Sequence, residues 1–460
     1  MKPARPSPVS FPMSSVSLAV VAKLRDELRF VIDQTLALAT AAQFVRRPDQ
    51  GNRIMARLDP SPQQAAQAAA VHERLQRWYG ITKSLLRRYA IKPALDVDRE
   101  VGHEVQKAAA YVLLQRATPP DIPEGRWRAQ VVRELTSIRL RLEEVLALCE
   151  QSIPSSSPLA VYEPIDICID VRRATGVTVN EVNAVIDACA AGTANVAILE
   201  SLGKKLFPLL GDGVRGWIRL HLANAGFLAN APWESLHDGK DFLAVQPSIA
   251  ISRALGRASA APAAHKTPLR LLVTISSPSD QDALNVDHEA QLLRDALGGL
   301  ELIGRAEVHI ATDGSLDTML RMLRVAEDAE RPYNAWHFIG HGRFNAASGQ
   351  SELAMTGKDG KTQFADASQL RVLFRAHPLR LAVFNACESG TFAPVDCGAA
   401  VVVAMQFRIS DDAAIVLADE VYGAFAAGAD ILKAMTDVRR ALFFRPPGIE
   451  WITPILMLGS

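Results

Sequence analysis

Short, continuously apolar segments alternate with amphipathic segments through the last two thirds of the chain. The apolar segments are residues 269–275, 307–311, 333–339, 379–384 and 400–407, and helical patterns separate most of them. Uninterrupted apolar runs of this length are typical of strands that are buried on both faces of a parallel sheet. Their alternation with helices predicts an α/β fold with a doubly wound, mostly parallel sheet. A small hairpin with its turn at Asp359-Gly360 is predicted after the strand that ends near Ile339.

The first third of the chain has a different pattern, without sheet signals. Residues 14–152 carry apolar side chains at helical spacing, for example at Val21, Leu24 and Leu28. Four such stretches with short breaks predict an all-α bundle before the sheet, which we interpret as a regulatory or adaptor domain that binds a protein partner. Residues 1–13, which contain four prolines, predict a disordered tail, and residues 153–160, which include the sequence IPSSSP, predict a linker.

Charge and composition disfavour several classes of protein. The 50 basic and 50 acidic side chains give the chain no overall attraction to nucleic acid or to an anionic membrane. No apolar stretch reaches the about 20 residues that a spanning helix needs. The five cysteines are scattered without a CxxC pair, which argues against a disulfide framework and a Cys-rich zinc site. No nucleotide-binding loop is present. We therefore predict a cytoplasmic protein with no cofactor.

Two of the predicted strands end next to residues that can carry out chemistry. One is followed by Gly340-His341-Gly342, and the other is followed by Asn385-Ala386-Cys387. Sites in open parallel sheets form beyond the carboxyl ends of the strands. A right-handed crossover through a helix near residues 367–375 would bring His341 and Cys387 together. The glycines beside His341 predict a sharp bend there.

A cysteine and a histidine in this arrangement can hydrolyse a peptide bond. The Cys387 thiolate would attack the carbonyl carbon, and His341 would stabilise that thiolate and protonate the leaving amine. The backbone N–H groups of Gly342 and Cys387 would form an oxyanion hole, where one donor is typically worth on the order of 10²–10³ in rate.

The sequence gives weaker support for metal binding by the histidines and for a reactive role of the other cysteines. His337 and His341 lie four positions apart, which brings metal ligands together on a helix but not on a strand, and no third ligand is evident. We therefore expect no metal and interpret His337 as a packed sheet residue. Cys168, Cys189 and Cys397 have no histidine nearby in sequence, and we expect them to be structural.

The segments around both residues resemble the paired signature of the CHAT family, which are caspase-like cysteine peptidases related to caspases and separases. The matching sequences are WHFIGHG at 336–342 and LAVFNACESG at 381–390. APWESLHDG at 231–239 and AMQFRISDD at 404–412 are similar to further family segments, so the resemblance covers roughly residues 195–460. It implies a caspase-type sheet, His341 as the general acid and base, and Cys387 as the nucleophile. It also implies a protein or peptide substrate and a regulated role in a bacterial stress, defence or cell-death pathway.

The resemblance also divides the sheet region. Residues 266–460 are expected to form the catalytic half and residues 161–265 a degenerate companion half. The segment after the AMQ sequence at 404–406 should help to shape the pocket for the residue before the scissile bond. Asp411 and Asp412 would then favour Arg or Lys, although the pair could instead cap the following helix.

Two further points stay open. Glu388 either faces the same cleft or lies in solvent. The connection between Cys387 and Met405 is shorter than the family leads us to expect. A catalytically silent scaffold that uses the same fold for protein binding is therefore the alternative function.

Overall fold

The computed structural model describes fourteen stretches of the chain. They are residues 15–41, 44–46, 55–57, 61–89, 94–112, 124–151, 164–174, 176–211, 214–255, 268–345, 350–387, 397–427, 430–445 and 448–459. The chain divides into two compact units, one of Met1–Ser156 with Gly298–Ile303 and one of Ser157–Leu297 with Gly304–Ser460. The predicted tail at 1–13 and the predicted linker at 153–160 lie outside the described residues. No helix in the described stretches is both long and apolar enough to span a membrane.

The first unit contains the four predicted helices, α1 (Ser15–Ala41), α2 (Pro62–Tyr89), α3 (Ala94–Val112) and α4 (Glu124–Gln151). Their apolar positions meet in a shared core that includes Leu24, Leu28 and Trp78. The indole of Trp78 donates a hydrogen bond to the Leu24 carbonyl at 2.8 Å, which satisfies the one polar atom of this buried ring. Two short antiparallel strands, β1 (Phe44–Arg46) and β2 (Met55–Arg57), were not predicted.

The second unit is built on a mixed sheet whose strands alternate with helices. Its elements are β3 (Pro164–Asp170), α5 (Val179–Ala190), α6 (Val196–Leu206), β4 (Gly216–Asn224), β5 (Ile249–Leu255), β6 (Leu269–Ile275), α7 (Val286–Leu302), β7 (Ala306–Ala311), α8 (Leu316–Asp328), β8 (Ala335–Asn345), β9 (Gln350–Thr356), β10 (Thr362–Asp366), α9 (Ala367–Ala376), β11 (Leu381–Cys387), β12 (Val401–Met405), α10 (Asp411–Ala427), α11 (Ile431–Phe443) and β13 (Pro454–Gly459). The predicted α/β fold is confirmed, and the described part of the segment before it is helical except for β1 and β2.

The strand order is β10-β9-β8-β11-β12-β13-β5-β4-β3, and β6 pairs with both β8 and β7. Pairing is parallel except in β8–β9, β9–β10 and β12–β13, as the apolar strands predicted. Strand β5 pairs with β13, so the predicted companion and catalytic halves share one continuous sheet. That residues 161–265 form a degenerate half stays a prediction.

The two faces of the central strands carry different side chains. Trp336 and Phe338 on β8 and Phe384 on β11 pack with Phe374 of α9 on one face. The intervening residues of both strands point to the other face, because side chains alternate along a strand. That second face is covered by α7 and α10. His341 and Cys387 occupy positions on this second face.

Strand β8 is longer than predicted, which corrects the expected end near Ile339. It continues to Asn345 because a hairpin supplies a new neighbour, and β9 pairs with it from His341–Ala354 to Asn345–Gln350. The predicted hairpin is confirmed. Its turn uses Gly360 with φ of 77°, a conformation that glycine adopts without steric cost.

Candidate active site

The ladder between β8 and β11 brings together the two residues predicted to react. Its register runs from Ala335 opposite Leu381 to His341 opposite Cys387. Neighbouring strands lie about 4.8 Å apart, so two residues that are 46 positions apart in sequence become direct neighbours in the sheet. Both residues lie within strands instead of just beyond them, because β8 is extended by β9 and β11 continues to Cys387.

The His341 ring is held by a backbone group. Its Nε2 lies 2.8 Å from the carbonyl oxygen of Asp282. A carbonyl can only accept a hydrogen bond, so Nε2 carries the proton and donates it. The remaining nitrogen, Nδ1, is therefore the basic atom of the neutral ring.

Asp282 belongs to a Ser- and Asp-rich loop that follows β6. Ser276 at its start donates from its backbone N–H to the Ile339 carbonyl of β8 at 2.8 Å. Asp280 accepts from the backbone N–H and the hydroxyl of Thr362 at 2.8 and 2.6 Å, which ties the loop to the hairpin. The loop is thus fixed to the strand that carries His341 and to the hairpin that extends that strand.

Sequence reasoning missed the role of Asp282. The acceptor is a main-chain carbonyl, which every residue possesses, so the identity of Asp282 carries no signal for it. The available signal was positional, because a polar loop after a buried parallel strand lies at the edge where sites form.

Gly340 does not produce the sharp bend that was predicted, since it lies inside β8. A Cβ atom at this position would lie 2.5 Å from Cζ of Phe338 and 3.2 Å from the Ser276 carbonyl oxygen. Glycine is needed here because the aromatic ring and the loop backbone approach the strand closely. The same contact fixes the backbone one residue before His341.

Gly342 pairs with Leu353 in the ladder to β9. Ile339 accepts a hydrogen bond from Ser276, so its backbone polar groups face the β6 edge of β8. These groups alternate between the two edges of a strand, so the N–H of Gly342 faces the β11 edge. This is the edge on which Cys387 lies.

A cationic residue lies two positions after His341 on the same face of β8. Arg343 donates through Nε to Glu352 at 2.7 Å, and its guanidinium lies 3.3 Å from the ring centre of Phe364. Glu352 also accepts from Asn345 at 2.8 Å. Both contacts fix Arg343, so this charge next to His341 is held in place. Arg343 was not among the predicted site residues.

Two of the three predicted specificity residues lie within the described residues, at the start of α10. Asp411 and Asp412 are exposed in the first turn of α10. Asp411 accepts from Nε2 of His288 at 2.8 Å. The expectation that the pair caps α10 is wrong, because the hydroxyl of Ser410 accepts from the Ala413 N–H. Glu388 lies outside the described residues.

A cavity of about 30 Å³ lies between the second face of the sheet and helices α7 and α10. The sheet residues that line it include His337 and Ile339 of β8 and Asn385 of β11. Nδ1 of His337 is hydrogen-bonded to the hydroxyl of Tyr422 at 2.8 Å, and its Nε2 has no partner among the described residues. Burial lowers the pKa of His337 to about 3, so the ring is neutral. It is a packed sheet residue, as predicted.

The other cysteines differ in exposure. Cys189 and Cys397 are buried, as expected of structural residues, and burial raises the pKa of Cys189 to about 12. Cys168 is exposed on β3 and lies opposite His221 of β4, and its structural role stays a prediction. Within the described stretches, no three His, Cys, Asp or Glu side chains are grouped to hold a metal ion.

The family model of the CHAT domain matches residues 196–447, which is more than half of the chain and includes both His341 and Cys387. The chain belongs to the CHAT domain family. The predicted resemblance is therefore confirmed. No curated protein is significantly similar to this CHAT protein over its sequence.

Two solved structures illustrate more distant likenesses of the CHAT protein. The Drosophila initiator caspase Dronc matches with 11% identity and a TM-score of 0.30, over 45% of this chain and 89% of that one. The Saccharomyces cerevisiae separase–securin complex matches with 10% identity and a TM-score of 0.32. That match covers 95% of this chain but only 27% of the matched chain. The assignment to the family rests on the CHAT model and not on these scores.

Proposed function

We propose that this CHAT protein is a caspase-like cysteine endopeptidase that hydrolyses a protein or peptide substrate through Cys387 and His341. The observation that carries the proposal is the register of β8 and β11, which pairs these two residues at the end of the ladder. The family assignment supports it, because both residues lie in the matched CHAT region.

The orientation of His341 supports a role as general acid and base. Since Nε2 donates to the Asp282 carbonyl, Nδ1 is the nitrogen that would accept the proton of the Cys387 thiol. The thiolate sulfur would then bond to the substrate carbonyl carbon, and the protonated Nδ1 would give its proton to the leaving amine as the C–N bond breaks. Water would hydrolyse the resulting thioester, returning the thiol and a free carboxylate.

The oxyanion of the tetrahedral intermediate needs donors. We assign this role to the backbone N–H groups of Gly342 and Cys387.

The remaining expectations extend this proposal. The N-terminal helices would bind a protein partner that regulates the peptidase, in a bacterial stress, defence or cell-death pathway. The protein would act in the cytoplasm and bind neither nucleic acid nor membrane directly. Five scattered cysteines without a CxxC pair suit a reducing compartment.

A thiol-reactive peptidyl ketone probe with mass-spectrometric mapping tests the proposal. Cys168 is exposed and would give background labelling, so every variant should be made in a Cys168→Ser protein. We expect Cys387 to be labelled and Cys387→Ala to abolish both labelling at this site and peptide cleavage. His341→Ala should slow cleavage by on the order of 10²–10⁴, the usual contribution of a general acid–base group.

The same experiment also tests the alternative function, a catalytically silent scaffold. A silent scaffold would show equal labelling of the parent and the Cys387→Ala protein, together with no cleavage. His288→Ala is a matched control for His341→Ala, because His288 is exposed and its Nε2 is paired with Asp411. Loss of labelling in both histidine variants would point to a general structural effect and contradict the specific role of His341.

A further inference from the structure

Helix α7 contributes residues to both compact units of the chain. Its first part, up to Leu297, belongs to the unit that is built on the sheet, whereas Gly298–Ile303 belong to the unit of the four N-terminal helices. Among the described helices, α7 alone is divided in this way. Because hydrogen bonds link each turn of an α-helix to the next, a displacement of one end of α7 is carried to the other end.

The C-terminal end of α7 packs against α1 and α2 at two consecutive glycines. A Cβ atom on Gly298 would lie 2.8 Å from Cγ1 of Ile81 on α2. A Cβ atom on Gly299 would lie 2.9 Å from Cγ1 of Val20 on α1. Both distances are too short for a real Cβ atom, so only glycine permits this approach. Leu302, in the last turn of α7, packs against the same apolar core.

The glycine pair is costly for the helix itself. Glycine is the poorest helix former after proline, so two in succession weaken α7 unless they serve another purpose. The close packing of α1 and α2 is such a purpose. Ile81 and Val20 are β-branched and have one strongly preferred rotamer in a helix, so they cannot easily turn away from an added methyl group. The packing of α1 and α2 therefore sets the position of this end of α7.

The N-terminal end of α7 is joined to the group that orients His341. The Asp282 carbonyl, which accepts from Nε2 of His341 at 2.8 Å, lies four residues before the start of α7. Asn285 fixes the junction, because its backbone carbonyl accepts from the Glu289 N–H at 3.0 Å. The twelve helical residues between the start of α7 and the glycine pair span about 18 Å. A shift of α7 would therefore reach the loop that carries the Asp282 carbonyl.

We propose that Gly298 and Gly299 are positioning residues for His341: the packing of α1 and α2 on them holds α7, and with it the Asp282 carbonyl, where the His341 ring needs it. The inference rests on the proposed peptidase function. The carbonyl keeps Nδ1 as the basic atom of the ring only while it accepts from Nε2. A protein partner that moves α1 or α2 would thereby change the reactivity of Cys387 without contacting it.

Gly298→Ala and a compensating substitution test this connection. The added methyl group would overlap Ile81 and should slow labelling of Cys387 by the peptidyl ketone probe about 10–100-fold, the usual cost of a misplacement of about 1 Å. Alanine favours a helix more than glycine does, so this loss would not come from a weaker α7. Ile81→Ala removes both overlapping carbon atoms, so the double variant should return to within about threefold of the parent rate. Gly423→Ala on α10, where an added Cβ meets no atom within 4 Å, is the matched control and should change the rate less than about twofold.

The His341 ring gives a second readout that does not depend on the reactivity of Cys387. In nitrogen NMR of protein with isotopically labelled histidine, the His341 signals are identified by their absence in His341→Ala. The parent protein should show a ring with the proton on Nε2, because the Asp282 carbonyl can only accept. Gly298→Ala should show a mixture of tautomers, and Ile81→Ala in that background should restore the single tautomer.

Parent-like labelling and an unchanged tautomer in Gly298→Ala would overturn the connection while leaving the peptidase function in place. Slower labelling with an unchanged tautomer would also overturn it, because the effect would not pass through His341. If Cys387 is not labelled in the parent protein, the peptidase function fails, and the tautomer alone decides whether the connection exists. If Gly298→Ala does not fold, Gly299→Ala with and without Val20→Ala gives the same test at the contact with α1.

Discussion

A buried cluster of charges should carry much of the stability of the sheet unit. Glu234 accepts hydrogen bonds from Arg253 at 2.7 Å and from Gln406 at 2.9 Å, and it lies 3.5 Å from a guanidinium nitrogen of Arg439. The side chains of Glu234 and Arg439 are fully buried. We predict that Glu234→Ala destabilises this unit strongly, because it leaves two buried guanidinium groups without their carboxylate.

The size of the effect follows from these contacts. Arginine does not lose its proton in proteins, so neither Arg253 nor Arg439 can escape the loss of its counter-charge by becoming neutral. Removing one partner of a buried ion pair typically costs about 3–5 kcal/mol. Arg439 keeps bonds to the Ile251 and Pro454 carbonyls, each at 3.0 Å, so we expect a value near the lower bound and a folded protein. At roughly 2–4 °C per kcal/mol, Tm should fall by at least about 6 °C.

Urea unfolding followed by circular dichroism and tryptophan fluorescence measures this difference. Glu234→Gln retains a carbonyl acceptor and should lose less stability than Glu234→Ala. Glu200→Ala removes an exposed carboxylate from a pair with Lys204 and should change stability little, since surface pairs contribute little. A loss below about 1 kcal/mol for Glu234→Ala would refute the reasoning, because the buried charges would then be satisfied in another way.

Three further predictions concern the site. Between pH 6.5 and about 3, His337 is protonated in the unfolded chain but not in the folded protein. Lowering the pH from 7.5 to 5 should therefore reduce the free energy of unfolding by about 2 kcal/mol. His337→Gln should reduce this dependence of stability on pH, measured by urea titrations. Gly340→Ala should cost about 1–3 kcal/mol in thermal unfolding, because its Cβ would overlap the Phe338 ring; an unchanged Tm would contradict this. Asp280→Ala should have a larger effect on kcat than on the free energy of unfolding, because it loosens the loop that carries the Asp282 carbonyl. Asp280→Asn retains an acceptor for Thr362 and should restore kcat.

The meeting of His341 and Cys387 could be predicted because it depends on strands and their order. Apolar runs identified β8 and β11, and a crossover helix between them made parallel neighbours the expected arrangement. The extension of β8 past His341 could not be predicted in the same way. It depends on the pairing of His341 with Ala354, a contact that the alternation pattern of β8 alone does not encode.

The orientation of His341 and the position of the cavity between the sheet and helices α7 and α10 could not be predicted from the sequence. The orientation of His341 depends on a main-chain carbonyl, which every residue type possesses. The position of the cavity depends on which faces of α7 and α10 pack against the sheet. Asp411 and Asp412 follow β12, and the resemblance to the CHAT family suggested a pocket role for this segment. They lie in the first turn of α10, whereas Tyr422 further along the same helix lines the cavity, and their pocket role stays a prediction.

The family-like segments of this chain reflect two separate physical demands. The segments around His341 and Cys387 place reactive groups, whereas those around Glu234 and Gln406, which are 172 positions apart, supply partners for buried cations. The buried cations need their partners whether or not the protein is an enzyme, because unpaired buried charges destabilise the same sheet in either case. A match to the family therefore argues mainly for the fold. Activity has to be argued from Cys387 itself, and the selective reactivity of that thiol is the observation that separates a peptidase from a scaffold with an identical sheet.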